Sequence, residues 1–335
     1  MKNASSMNEL PHPGRFFGIR FESIGGLGAH AAGQILGGAA VLRLGFNGAH
    51  FSSYGSEKKG SVVRSFVRIG EGDRPLRTSA PIEKPDVIVV FHAALLKNPV
   101  TFAGLLADGT LIVNATEMEE SLSHLVRLPK TARVIRVDAL KIAQETRSRA
   151  NAVLLGTLSA AYPFLRPEKI LEALSEEFAG KHPEAVASNE KAFTRGAAEF
   201  TEIPAPGKAD GDIPIVRPGP VWGYKTAPIG GVIPNPGNTI SNDLSTSRTG
   251  WIPFLNKDRC VHCGLCDVVC PDHCLVWEKK PAGDVRLKGV DYRYCKGCLR
   301  CVETCSTGAF QKKEETPGLA DRLRIPLFEE TGRNS

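Results

Sequence analysis

The chain has 335 residues, of which 42% are hydrophobic and 23% charged, with a formal net charge of +6. These values describe an ordinary soluble protein with core enough for one large domain or two unequal ones. The basic residues are spread out, with no run of five like charges, so the basic stripe of a nucleic-acid binder is missing.

The start, "MKNASSMNELPHPGRFFG", has no apolar core of the secretory kind. Ser23 to Leu42 is a charge-free span of 20 residues, but it holds six glycines, a His and a Gln, so it reads as a packed turn and helix and not as a membrane span. The reading is cytoplasmic, where thiols stay reduced.

The segment "FFGIRFESI" predicts a buried strand, and "GGLGAHAAGQILGGAAVLRLG" a glycine turn feeding a helix of small residues. "SVVRSFVRI" alternates as a strand with one wetter face. "PDVIVVF" and "TLIVNA" are short apolar runs of the buried parallel type, with a helix predicted between them near Leu95–Ala107. "ARVIRVDAL" predicts another strand, and "NAVLLGTLSAAYPFL", "PEKILEALSEEF" and "NEKAFTRGAAEFTE" have helical spacing. The alternation predicts an α/β, Rossmann-like open sheet over residues 15–202, with helices on both faces.

The chain then changes character. Residues 203–253 contain nine prolines and few periodic apolar runs, but Trp222, Tyr224 and Ile233 want something to touch. An extended arm laid over a partner surface is expected, with a flexible tether as the alternative. Residues 254–312 hold the cysteines. Residues 313–335 form a charged tail in which "LADRLRIPLF" either docks an apolar face or frays.

All nine cysteines lie in the 46 residues from Cys260 to Cys305, which in a cytosolic chain points to metal. Cys260, Cys263, Cys266 and Cys270 are spaced x2, x2, x3 and followed by Pro271. Cys295, Cys298, Cys301 and Cys305 repeat the spacing, with Ser306 in the proline position. This is the duplicated run of bacterial two-cluster ferredoxins. Three cysteines on a turning loop reach three corners of a cubane, and the fourth ligand comes from the other run. Cluster one is therefore assigned Cys260, Cys263, Cys266 and Cys305, and cluster two Cys295, Cys298, Cys301 and Cys270. Zinc ribbons also use C-x2-C pairs, but with two cysteines per knuckle and not three in register. Cys274 has no place in the scheme and is expected to fill a small apolar site near cluster two. His262 is expected at the surface or as a hydrogen-bond donor to sulfur. Gly264 and Gly297 let the backbone turn closely around a cluster.

In "ESIGGLGAHAAGQIL", Gly25, Gly26 and Gly28 stand between a strand and a helix. Such a turn suits either an anion at the helix start or close strand–helix packing, and the acid of a dinucleotide site is absent. Together with Tyr54, Gly55, Glu57, Lys59 and Gly60, the turn resembles the gamma subunit of 2-oxoacid:ferredoxin oxidoreductases. Asn151, Gly156, Asn189 and Gly196 look like that subunit's C-terminal helices. "PNPGNTISNDLSTSRTGWIPFLNKDRC" looks like the arm before the ferredoxin domain of the delta subunit. The resemblance covers roughly residues 15 to 312, as a gamma–delta fusion. Leu27 stands where the family usually has glutamine, and Ser61 where a second glycine is common.

The resemblance implies an electron-transfer subunit with two 4Fe–4S clusters. Thiamine diphosphate and magnesium would sit on partner alpha and beta subunits, since no G-D-G motif is present here. Ferredoxin would be the electron acceptor, and the first domain would be a scaffold and part of a coenzyme A site at a subunit interface. Lys58 and Lys59 beside the Gly25–Gly28 turn either supply charge to a coenzyme A phosphate or form a solvated patch at a subunit contact. Pyruvate is the default substrate, with oxalate and other 2-oxoacids open. A non-catalytic iron–sulfur adaptor for another oxidoreductase is the alternative.

Overall fold

The structure, a computed structural model, describes residues 10–12, 14–54, 61–72, 75–117, 120–180, 182–204, 206–216, 228–231, 243–281 and 283–328. The chain divides into two compact units, Met1–Arg217 and Pro218–Ser335.

The first unit contains, in order, β1 (Phe17–Ile24), α1 (Ala29–Leu42), β2 (Asn47–Ser53), β3 (Val62–Gly70), β4 (Val87–Val90), β5 (Thr110–Asn114), β6 (Arg133–Val137), α2 (Ala139–Thr146), α3 (Ala150–Ala161), α4 (Pro167–Ala179), α5 (Val186–Ala198) and β7 (Thr201–Ile203). Its seven-stranded sheet has the order β2-β3-β1-β4-β5-β6-β7. The run β1-β4-β5-β6 is parallel, and β3, β2 and β7 pair antiparallel at its flanks. Every residue of β4 and β5 is buried, as expected of a parallel sheet covered on both faces. Val87 and Val89 join the cluster that holds the buried residues of all five α-helices, whereas Ile88 and Val90 point to the other cluster.

The two faces are covered differently. The predicted helix at Leu95–Ala107 is instead two short 3-10 helices, Ala93–Lys97 and Pro99–Phe102. Asn98 between them is extended, as the residue before a proline prefers, and its side chain accepts from Val100 N at 3.0 Å. An α-helix cannot run through Pro99, which has no N–H to give and crowds the preceding turn. The α-helices of this unit therefore pack on one face of the sheet, and 3-10 segments with Leu96, Phe102, Leu125 and Leu128 close the other. The expected strand 132–140 stops at Val137, because the Asp138 carboxylate accepts from Lys141 N at 3.1 Å and starts α2.

Helices α3 and α5 cross with their main chains in contact. A Cβ added at Gly156 would collide with the Phe193 carbonyl, and one at Gly196 with the Val153 carbonyl. Thr157 Oγ1 donates to the Gly196 carbonyl at 2.8 Å across the crossing. Beyond β7 the chain stays on this unit: Lys208 N donates to Val126 O, Ala209 N to Leu128 O, and Gly104 N and Ile213 O bond at 3.1 Å. The start of the Pro/Gly-rich arm thus lies on its own domain. Trp222, Tyr224 and Ile233 fall outside the described residues.

The second unit has two short antiparallel pairs. One joins β8 (Trp251–Leu255) to the later β11 (Phe310–Glu314). The other joins β9 (Leu275–Lys279) to β10 (Val285–Val290). Helices α6 (Leu265–Val268) and α7 (Arg300–Thr304) are single turns inside the two cysteine runs. The tail docks through α8 (Leu319–Leu323) and the residues after it. Ile325 N donates to Val290 O at 3.0 Å, Phe328 meets the Tyr294 ring edge-on at 5.7 Å, and Leu319, Leu323 and Leu327 pack on the core. Asp291, fully buried, accepts from Arg324 Nε at 2.6 Å and from Leu327 N at 2.8 Å.

Candidate metal centres

The two cysteine runs form tight loops that turn through left-handed backbone. Gly264 (φ 80°) opens α6, and Leu299 (φ 61°) opens α7. Gly297 (φ 66°) is pressed between the Trp251 carbonyl and Arg248, so only a residue without a Cβ fits there. These turns fold each run back around its own cysteines.

One pocket is lined by Cys260, Cys263, Cys266 and Cys305. A second is lined by Cys270, Cys295, Cys298 and Cys301, and Cys274 joins them. The eight cysteines of the two runs are thus brought together as four and four, each set taking three from one run and one from the other. Among the described residues, no group of three or more His, Cys, Asp or Glu converges as it would around a single metal ion. Four thiols gathered from the two runs, three and one, suit a sulfur-bridged group whose corners each take one thiolate.

The surroundings of the cavities differ. The first is apolar: Val261, Leu265, Trp277, Leu287 and Phe310 line it, and no Asp, Glu, Lys or Arg does. It is also the more open, with Cys263 exposed and Val261 66% exposed. Phe310 N donates to Cys305 Sγ at 3.4 Å. His262 Nδ1 lies 3.6 Å from Cys260 Sγ but accepts from Leu287 N at 3.1 Å. That nitrogen carries its lone pair toward the backbone, so it is no donor to the sulfur, contrary to one of the two roles expected of this residue.

The second cavity is charged and enclosed. Asp272, Lys296 and Arg300 line it, and Cys274, Cys295 and Cys301 are buried. Cys274 Sγ lies 3.6 Å from Cys270 Sγ. This contact lowers the Cys270 thiol to about 6 and raises that of Cys274, which a second contact with Cys295 raises further. Cys274 therefore touches ligand-type sulfur and does more than fill apolar space. Behind Cys295, Arg248 donates to the carbonyls of Tyr292 (2.6 Å) and Cys295 (3.1 Å) and is held by both oxygens of Glu315. Arg248 precedes the first run and Glu315 follows the second, so no motif spacing could find this pair. Nor could spacing show that Lys296, inside the second run, and Asp272, just past the end of the first, would meet.

The glycine turn of the first unit lies at the start of α1. Gly26 (φ 108°) and Gly28 (φ 90°) are left-handed. A Cβ on Gly28 would meet the Asn151 side chain at 2.9 Å. Gly25 N donates to Ser61 O and Leu27 N to Ile24 O. Beside the turn, His30 Nδ1 is 3.1 Å from Ser52 Oγ, and His50 Nε2 is 2.9 Å from Ser65 Oγ. Burial pushes the His50 imidazole down to about 4. Tyr54 is half-exposed near His30, whereas Gly55, Glu57, Lys58, Lys59 and Gly60 fall outside the described residues. Asn189 Oδ1 accepts from Ser148 Oγ at 2.6 Å, so the four residues singled out in α3 and α5 all make packing or capping contacts.

Residues 18–199 match the family model for pyruvate ferredoxin/flavodoxin oxidoreductase, and residues 259–314 match the 4Fe-4S dicluster domain. The chain belongs to the pyruvate ferredoxin/flavodoxin oxidoreductase family. Within that family it resembles the pyruvate/ketoisovalerate oxidoreductases common subunit gamma of Pyrococcus abyssi, with 38% identity over 188 residues, 55% of this chain and 97% of the relative. Two separate proteins of Thermotoga maritima match its two halves. Pyruvate synthase subunit PorC is 33% identical over 193 residues, 57% of this chain and 97% of PorC. Pyruvate synthase subunit PorD is 36% identical over 98 residues, 29% of this chain and 93% of PorD. The chain thus joins a gamma-type part and a dicluster part in one polypeptide, as an oxidoreductase subunit of this family. Among the described residues, no helix is long and apolar enough to cross a membrane.

Proposed function

We propose that the chain is the electron-transfer subunit of a thiamine-diphosphate-dependent 2-oxoacid:ferredoxin oxidoreductase. In this reading Cys260, Cys263, Cys266 and Cys305 hold one 4Fe–4S cluster, and Cys270, Cys295, Cys298 and Cys301 hold the other. The observation that carries the reading is the pooling of three cysteines from one run with one from the other in each cavity. A 4Fe–4S cluster, when bound, supplies a site that gains and loses one electron at a time. The chain's own residues do the rest. Trp277, Leu287 and Phe310 give the first site an apolar wall, Cys274 lies against the Cys270 sulfur at the second, and Arg248 fixes the Cys295 loop.

Decarboxylation falls to alpha and beta partners that carry thiamine diphosphate and magnesium, and ferredoxin takes the electrons, in the cytosol. Pyruvate is the proposed substrate, because the gamma-type relatives above carry it in their names. The contacts of the Gly25–Gly28 turn favour a packing role: two of its N–H groups are taken by the protein itself, and Gly28 is pressed on Asn151. If the complex uses coenzyme A, groups outside that turn must supply most of its phosphate contacts.

Anaerobic reconstitution tests the ligand sets. We expect about eight irons and eight acid-labile sulfides per chain. Cys274→Ala should keep them all, and Cys270→Ala should lose or convert one cluster only. An equal fall in the Cys274 variant would overturn the assignment. Purification from the source, followed by a 2-oxoacid panel with and without coenzyme A, tests the activity. Absence of thiamine-bearing partners would favour the adaptor reading instead.

A further inference from the structure

The two cavities are built by repeats of one spacing, yet only the second contains charge. Lys296 Nζ lies 3.0 Å from Asp272 Oδ1, and their side chains are 13% and 11% exposed. Both line the second cavity. Lys296 follows Cys295 in the second run, and Asp272 stands two residues after Cys270 in the first. The ion pair therefore ties together the same two segments that bring Cys270 and Cys295 to one cavity. A salt bridge this enclosed is weakly screened by salt, and each of its charges acts strongly on whatever charge the cavity takes up.

We propose that Lys296 and Asp272 are positioning and tuning residues of the second site, acting on its reduction potential with opposite sign so that the pair holds that potential in balance. The proposal rests on the ligand sets given above. When the second site is reduced, one electron enters and one negative charge is added to the cavity. Lys296 stabilises that charge and Asp272 opposes it, so as a pair they nearly cancel. Removing one member leaves the other unopposed. The first site has no Asp, Glu, Lys or Arg in its lining and serves as an internal control.

The test uses the full chain carrying both clusters, titrated with dithionite and followed by electron paramagnetic resonance. Lys296→Met should lower the potential of the second site, because Asp272 is then uncompensated. Asp272→Asn should raise it, because Lys296 is then uncompensated. Each shift should reach about 59 mV, which corresponds to a tenfold change in a one-electron equilibrium. The double variant should return close to the parent, and the first site should not move. Shifts of the same sign in both single variants, or none with iron content intact, would overturn the tuning role. Loss of the second cluster in every variant, the double included, would also overturn it, leaving only a brace. If the unaltered chain itself holds one cluster and the Cys270→Ala variant loses no iron, the ligand sets have failed, and the tuning role built on them falls with them.

Discussion

In the first unit β4 and β5 lie wholly buried between two aliphatic clusters, whereas in the second the interior positions belong to Cys274, Cys295 and Cys301 beside Tyr292 and Tyr294. The first unit holds together by burying apolar area, at roughly 25 cal/mol per Å². The second buries a smaller apolar set around Ile252, Leu275, Leu287 and Val290, and under the proposed ligand sets ligation and enclosed ion pairs would add to it, as in other small domains. One chain thus contains two different answers to the entropy of ordering a backbone.

The largest expected break in that symmetry comes from removing iron. Chelation under reducing conditions should abolish hydrogen-exchange protection across 243–328 and leave that of 17–203 unchanged. Equal loss in both would show that the units do not fold separately.

Next is the crossing of α3 and α5. Gly156→Val places a side chain against the Phe193 carbonyl, which cannot move without its helix. We expect roughly 3 kcal/mol or more off the first unit in a urea titration, with iron content unaffected.

A smaller effect belongs to the second unit. Arg324→Ala leaves the fully buried Asp291 carboxylate with backbone donors only. A loss of about 2–3 kcal/mol is expected, together with release of the tail to protease. A tail that stays protected would mean that Leu323, Ile325 and Leu327 hold it unaided.

The smallest is a pH effect on the first unit. His50 takes up its proton near 6.5 when unfolded and near 4 when folded, because burial disfavours the charged ring. The unfolded chain binds the proton first. The contribution is therefore complete above about 6.5 and is lost as pH falls toward 4. For a partly exposed ring we expect on the order of 1–2 kcal/mol. His50→Gln should flatten this slope in a pH series of urea titrations, and an unchanged slope would remove His50 as its source.

Much of this was legible in the residues because the relevant signals are local. The runs at β4 and β5 are short and apolar, β1 is bounded by glycines with apolar residues among polar ones, and the cysteine spacing requires two loops of one kind. What escaped has a nonlocal cause. Strand β2, "NGAHFSS", is polar and half-buried at a sheet edge, so it lacks both the apolar run and the alternation that mark a strand. The helix expected at Leu95–Ala107 had the right composition, but Pro99 decides against it. At the metal centres, eight cysteines could be paired off by spacing. The role of Cys274, the Lys296–Asp272 pair and the Arg248–Glu315 clamp arise only when segments distant in sequence meet.

The stretch just after β7 bears on how such a polypeptide could be divided. Residues 206–213 lend donors and acceptors to Gly104, Leu105, Val126 and Leu128, and Gly207 sits too close to the Leu128 and Pro129 carbonyls for any larger residue. A seam cut at the end of the sheet, near residue 203, would strand those groups and uncover part of the cluster around Leu105 and Leu128. A seam beyond Ile213 leaves them paired. On the other side, Leu244 N is already bound to Arg293 O, so the second half needs its chain from about that point. Separating this protein into two genes, or joining two into one, therefore breaks these main-chain bonds unless the seam lies between the two anchors.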